Sequence, residues 1–530
     1  MGFLRAVVCV SLLFNGLHGA APNSDCVDPC VKIPDGLLIG AGLSASQSEG
    51  AWDTDGKAES LMDRMTHKVF NETIDVAADH YHRFKEDLAY AKELNFTSHR
   101  FSISWSRVLP SGDAANPNEK GVDFYKKLIK EIKDNGMEPF VTMLHFDQPF
   151  SLENKTNGWN SQEMMDKFVA YADFLFKTFG SEVKYWTTIN EGNMYCSYFP
   201  QLASFIGLNP GDGNQLYRCL HNMVVAHVRV YRLYKEKYFE EQKGQVGASA
   251  LMWPATPATS SYDDVVAADL FNQVYTGALL NPIVHGDWPP LVRYIVDKRS
   301  FEDLKLNESR LPRFTDEEKE MFRDGPAADF IAVNVYSGYK TAWRHNASDG
   351  SPMPSLLGPF TADMPNIKLI SGGGFDASDE NLMRDALLWT WFNYQLPIVI
   401  SENGFGDTKH VGVNDIERAA YHSTALRSLI RTMQEYNVPV ISYYAWALFD
   451  VFEFSGGYKD RTFGIIHIDY QSVNLTRTPK DSFRFFKTVG TTRTVPFVPR
   501  TPSSTAQSTG PALLSILAIL VPWQAWCHQI

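Results

Sequence analysis

Tyr185-Trp186-Thr187-Thr188-Ile189-Asn190-Glu191 and Pro397-Ile398-Val399-Ile400-Ser401-Glu402-Asn403-Gly404 are two short, β-rich apolar runs, and each delivers a glutamate beside an asparagine. Runs that are apolar at successive positions fit strands buried on both faces. A carboxylate at the end of such a strand points into whatever space lies beyond the sheet. Two of them, far apart in sequence, point to a paired-carboxylate site at one end of a barrel.

Further runs of the same kind flank them. Leu37–Ala45, Ser98–Ile103, Glu138–His145, Gln245–Met252, Phe330–Asn334 and Val440–Ala445 read as strands, with Tyr185–Asn190 and Pro397–Glu402 completing the set. Between them lie helical patterns. Val122–Asp134 and Met164–Phe179 carry apolar residues at three- and four-residue spacing, and Asp415 marks the start of a helix running to about Glu435. The alternation predicts an α/β protein, a single (β/α)8 TIM barrel over residues 34–495 with long βα loops. The strand-poor stretches Trp253–Asp329 and Lys340–Glu380 are expected to be those loops.

The bulk of the chain agrees with one large domain. Of 530 residues, 44% are hydrophobic, enough for a substantial core. The net charge of -12, without a basic run, argues against a nucleic-acid surface. Residues 1–20 read as a signal peptide, with Arg5 ahead of the apolar run Ala6–Phe14 and small residues at Gly19-Ala20-Ala21. Residues 21–33 form an N-terminal extension, 496–510 a flexible linker, and 511–530 an apolar tail. Small residues near Ser503, Ser504 and Ser508, a polar spacer and that tail make a GPI-attachment pattern. The expectation is an extracellular, lipid-anchored protein. Of the six cysteines, Cys9 and Cys527 fall in the two removable segments. Cys26, Cys30, Cys196 and Cys219 remain, with Cys26–Cys30 and Cys196–Cys219 the local choices among three pairings. Asn71, Asn95, Asn154, Asn307, Asn346 and Asn474 open Asn-x-Ser/Thr sequons. No metal-ligand spacing, phosphate loop or nucleotide fingerprint stands out, so no metal or cofactor is expected.

Paired carboxylates suit glycoside hydrolysis. One must hold a proton for the leaving oxygen while the other stays ionised to attack or stabilise the sugar cation. Further motifs follow in order: Gln47–Trp52, Asp55–Lys57, Arg100–Arg107, Leu144–Pro149, Thr188–Glu191, Asn334–Tyr336, Ile400–Gly404, Trp446–Glu453, Arg461–Gly464 and Thr478–Ser482. With these motifs the chain resembles glycoside hydrolase family 1, the β-glucosidase family, from about Pro34 to Gly490.

The resemblance implies a retaining β-glycosidase acting on a small β-glycoside. Glu402 matches the nucleophile and Glu191 the acid/base, about 5 Å apart in a retaining enzyme. Arg100 and Tyr336 match the partners that keep Glu402 ionised. Gln47, His145, Asn190, Asn334, Trp446, Glu453, Phe454 and Phe463 match substrate-binding positions, Trp446 as an apolar platform under the ring. An acidic Glu453 opposes a 6-phosphosugar.

The chain departs from the family pattern around this core. Gly192 stands where Pro is usual, Phe146 and Phe454 where Trp is, Ser46 where Tyr is and Val451 where Asn is. Asn193–Gly211 lacks the usual Gly-rich spacing. Gly192 is expected to loosen the loop carrying Glu191, and Phe454 lacks an indole donor. Alternatives on the same scaffold are a thioglucosidase or transglycosidase, and a klotho-like binding protein. Retained Glu191 favours O-glycosides over the thioglucosidase, and the retained carboxylate pair favours an enzyme over the binding protein.

Overall fold

The structure is a computed structural model that describes residues 30–209, 215–346, 360–374, 379–454 and 456–500. Eight parallel strands close into a barrel: β1 Leu38–Leu43, β2 Ser98–Ser102, β3 Glu138–Leu144, β4 Tyr185–Ile189, β5 Gln245–Met252, β6 Ile331–Val335, β7 Ile398–Asn403 and β8 Val440–Trp446. Each strand pairs with its neighbours in chain order, and β8 returns to β1. The apolar runs become strands because both faces are covered, the inner by barrel packing and the outer by helices. Strand boundaries match the sequence reading to within two residues.

The helices that matter for the site are α1 Glu119–Asp134, α2 Phe150–Thr156, α3 Gln162–Phe179, α4 Gly192–Leu202, α5 Gln215–Lys237 and α6 Ile416–Tyr436. A serine side chain caps one of them: Ser161 accepts from the Met164 amide of α3. Asp415 sits at the start of α6 as expected, but its side chain does not cap the helix. Its carboxylate accepts instead from the amide and hydroxyl of Ser482, at 2.8 and 2.7 Å.

Inside the barrel, Phe140, Phe330, Ala332, Val399 and Tyr444 form a buried cluster separate from the main core. Phe140 packs on Tyr444 and Phe330 with ring centroids 5.2 and 5.7 Å apart. This plug fills one end of the barrel, so the polar side chains of the strands' C-terminal ends gather at the other.

Two stretches differ from expectation. Trp253–Asp329 and Lys340–Glu380 are not mere loops. The first carries helices Tyr262–Asn272, Ala278–His285 and Pro290–Lys298. Its strand Ala255–Pro257 joins Tyr339–Trp343 and Ile367–Gly372 in a small three-stranded sheet. Outside the barrel, Cys30–Lys32 pairs antiparallel with Thr494–Pro496. Cys196 of α4 and Cys219 of α5 form a disulfide, with Cα atoms 5.7 Å apart. The Cys26–Cys30 pairing, the signal segment and the apolar tail lie outside the described residues. No helix among the described residues is long and apolar enough to cross a membrane.

Candidate active site

Glu402 owes its position to a break in β7. Pairing with β6 slips between Ile400 and Glu402, and pairing with β8 slips between Ile400 and Asn403. In an unbroken strand neighbouring side chains face opposite ways. The irregularity cancels one alternation, so both Ser401 and Glu402 reach the site. Ser401 donates to Asn334 Oδ1 at 2.6 Å. Glu402 accepts from Arg100 Nη1 at 2.5 Å through one oxygen and from the Tyr336 hydroxyl at 2.5 Å through the other.

Glu191 lies two residues beyond β4, at the head of α4, in the left-handed region with φ 46°. For a residue with a side chain this conformation costs roughly 1–3 kcal/mol and persists only where the surroundings impose it. Here α4 begins at the next residue, and the Tyr195 amide donates to the Glu191 carbonyl at 2.9 Å. Asn334 Nδ2 donates to Glu191 Oε1 at 2.6 Å and to Asn190 Oδ1 at 3.1 Å. Arg100 Nη2 also donates to Asn190 Oδ1, at 2.8 Å. A continuous chain of polar contacts therefore runs Glu402, Arg100, Asn190, Asn334, Glu191.

The two carboxyl groups differ electrostatically in ways the geometry explains. Burial, and then the charge of Glu402, push the Glu191 carboxyl up from about 4.5 to about 8, against the opposing hydrogen bond from Asn334. Glu402 holds a guanidinium on one oxygen and a phenol on the other. Burial and Glu402 hold the Tyr336 phenol well above its ordinary range, so it remains a donor.

The other expected residues surround this pair. Asn190 Nδ2 donates to His145 Nε2 at 3.3 Å, which places the proton of the neutral imidazole on Nδ1. Burial and the nearby Arg100 charge keep His145 neutral. Its ring stacks on Trp446, with centroids 5.8 Å apart and planes 12° apart. The Trp446 indole donates to Glu453 Oε1 at 3.0 Å. Burial raises the Glu453 carboxyl well above the ordinary range. Gln47 is tied to the scaffold, accepting from Ser44 at 2.6 Å and donating to the Phe452 carbonyl at 2.7 Å. Phe463 meets Tyr336 edge to face. Phe454 stands further out, half-buried against Phe146 and Phe199.

Gly192 follows Glu191 directly and opens α4. It is buried in the first turn of α4, and a Cβ there would meet Met223 Sδ at 3.0 Å. A disulfide pins the same helix four residues on. Asn193–Gly211, which lacks the usual glycine spacing, continues α4 to Leu202 and then makes the tighter helix Ala203–Ile206.

Sequence reasoning missed the layer behind Tyr336. Tyr421 donates to the Tyr336 carbonyl at 2.9 Å. Asn403 donates to the Val335 carbonyl at 2.5 Å and accepts from Tyr443 at 2.6 Å. Only Asn403 carried a signal, as the neighbour of Glu402. Tyr421 lies on a helix and Tyr443 within a strand, and each reads there as ordinary core.

The sequence pattern of Glycosyl hydrolase family 1 matches residues 31–495. Lactase/phlorizin hydrolase of Homo sapiens is 35% identical over 483 residues, covering 87% of this chain and 24% of that much longer protein. Beta-glucosidase 1 of Arabidopsis thaliana is 33% identical over 506 residues, covering 91% of this chain and 94% of its own. Among solved structures, aphid myrosinase superposes with a TM-score of 0.78 at 32% identity, over 87% of this chain and 99% of its own.

Proposed function

The chain belongs to glycosyl hydrolase family 1 and is a retaining O-glycosyl hydrolase of the β-glucosidase type; we propose that Glu402 and Glu191 divide the chemistry as nucleophile and acid/base on a small β-glycoside. One observation carries the division of roles. Glu402 holds a cation and a phenol on its two oxygens, whereas Glu191 is held protonated to about pH 8 by burial and by the negative Glu402.

The reaction then follows in two displacements. Glu402 attacks the anomeric carbon while the Glu191 proton passes to the glycosidic oxygen, which leaves as an alcohol. Forming the glycosyl ester removes the charge of Glu402. Glu191, now ionised, is the stronger acid without that neighbour and serves as base. It takes a proton from water, whose oxygen attacks the anomeric carbon and releases Glu402. Both halves invert the centre, so the product keeps the β configuration. Asn190 is positioned for the 2-hydroxyl, whose hydrogen bond strengthens in the transition state. Gln47, His145, Asn334 and Glu453 supply further polar contacts to the sugar ring. Trp446, Phe454 and Phe463 supply its apolar walls.

A panel of aryl β-glycosides, with the first-formed anomer read by NMR, tests this reading. Wild type is expected to release the β-anomer, and Glu402→Gln to lose at least about a thousandfold in kcat. Turnover of no substrate by wild type, or first release of the α-anomer, would overturn it. A thioglucosidase is the alternative, and aphid myrosinase shares the fold. The retained Glu191 supports the O-glycosidase, because a poor alcohol leaving group needs its proton. The signal-peptide and GPI-attachment patterns support placement at the cell surface. Release from intact cells by a phosphatidylinositol-specific phospholipase tests the anchor.

A further inference from the structure

Glu402 and the Tyr336 phenol must keep a fixed register, yet the strand that carries Glu402 is irregular. β7 shifts its pairing with β6 between Ile400 and Glu402, and with β8 between Ile400 and Asn403. Such shifts disrupt the ladder locally. The side chain of Asn403, the last residue of β7, ties the strand to both neighbours instead. Its Nδ2 donates to the Val335 carbonyl of β6 at 2.5 Å and to the Tyr421 hydroxyl at 2.8 Å. Its Oδ1 accepts from the Tyr443 hydroxyl of β8 at 2.6 Å. The Tyr421 hydroxyl donates onward to the Tyr336 carbonyl at 2.9 Å. His422 Nδ1 lies 2.7 Å from the Tyr443 hydroxyl. Asn403, Tyr421, His422 and Tyr443 are at most 2% exposed, so their polar groups depend on one another.

Only one arrangement of protons satisfies this cluster. The Val335 carbonyl can only accept, which turns the carboxamide nitrogen towards β6 and its oxygen towards β8. That oxygen can only accept, so it takes the single proton of the Tyr443 hydroxyl. Tyr443 then has none for His422, and the imidazole must donate from Nδ1. Burial, then the Arg418 charge, pull His422 down to about 3, so the ring is neutral and this is its one ring N–H. Donation therefore runs one way, from His422 through Tyr443, Asn403 and Tyr421 to the Tyr336 carbonyl. It passes through the residue beside Glu402 and ends on the residue whose phenol donates to Glu402 at 2.5 Å. We propose that Asn403 and Tyr421 are positioning residues that hold the nucleophile and its phenol partner in register, with His422 acting through Tyr443 to orient the Asn403 carboxamide. The inference rests on Glu402 acting as the nucleophile.

A double-mutant cycle tests it. The readout is kcat on an aryl β-glycoside per active site, with sites counted by the burst of aryl alcohol from a 2-deoxy-2-fluoro analogue. Tyr421→Phe should lower kcat about tenfold with KM within about twofold, because the cluster lies behind the site. In a Tyr336→Phe background it should cost less than about twofold, since no phenol is left to place. Tyr443→Phe should lower kcat about fivefold and Asn403→Ala about a hundredfold. If Asn403→Ala does not fold, the two phenylalanine variants, which keep the ring, decide. Tyr234→Phe removes a buried hydroxyl bonded to the Gly244 amide, far along α5, and should leave kcat unchanged. Nitrogen-15 histidine labelling should show a signal, lost in His422→Gln, with its proton on Nδ1. The proposal falls if Tyr421→Phe keeps full kcat, if it costs as much with Tyr336→Phe as without, or if His422 carries its proton on Nε2. Turnover of no glycoside by wild type would instead overturn the role of Glu402 on which it rests.

Discussion

Asn334 places its amide nitrogen 2.6 Å from Glu191 Oε1, so the group that must give up a proton is held by a donor that prefers it ionised. Burial and the Glu402 charge outweigh that preference and bring the carboxyl to about 8. Removing the donor with Asn334→Ala should raise the Glu191 pKa further. The alkaline limb of kcat/KM, which reports the acid in the free enzyme, should move to higher pH while the plateau falls. A pH-rate profile checks this, and a limb that moves to lower pH contradicts it.

The same carboxyl makes stability depend on pH. It stays protonated in the folded chain up to about 8 but ionises near 4.5 when unfolded. Between those values the folded state binds the extra proton, so its stability falls as pH rises, and is fully present below about 4.5. Glu191→Gln has no proton to lose there. Its stability relative to wild type should be level near pH 4 and grow towards pH 8 in denaturant melts. A constant difference across that range would contradict the assignment.

Tyr336→Phe removes one of the two donors on Glu402 and keeps the ring that packs on Phe463. A hydrogen bond to a charged group contributes about 1.5–3 kcal/mol, so kcat should fall roughly 10- to 150-fold. Circular dichroism should show the fold unchanged. Retention of full kcat would mean that the phenol does nothing for the nucleophile.

The disulfide between Cys196 and Cys219 closes a loop of 23 residues in sequence separation. In the chain-entropy view such a closure stabilises the fold by about 3 kcal/mol. The Cys196→Ser, Cys219→Ser double variant should lose up to that amount in an equilibrium melt. Its kcat/KM should also fall, because α4 carries Glu191 at its start.

The barrel was legible because parallel strands covered on both faces leave unbroken apolar runs, and these mark each strand to within two residues. The two carboxylates were legible because they end such runs. The small sheet was not. Ala255–Pro257 spans only three residues, and Ile367–Gly372 is mostly half-buried or exposed, so neither leaves an apolar signature. The slip in β7 was equally hidden. No residue type announces it, and only pairing with both neighbours reveals that Glu402 reaches the site against strict alternation. Gly192 carried a different signal. Its backbone freedom suggested a loose loop, whereas it sits packed beside Met223 and Leu279, where a Cβ would come within 3.0 Å of the Met223 sulfur.

The antiparallel pairing of Cys30–Lys32 with Thr494–Pro496 brings the two extremities of the barrel side by side. A unit that begins and finishes at the same spot can be strung in tandem or spliced into a host protein without threading or refolding. That makes it modular, in keeping with a human relative of which it matches only 24%. It also makes the junction between residues 30 and 496 a natural seam at which to join the chain and reopen it elsewhere as a circular permutant.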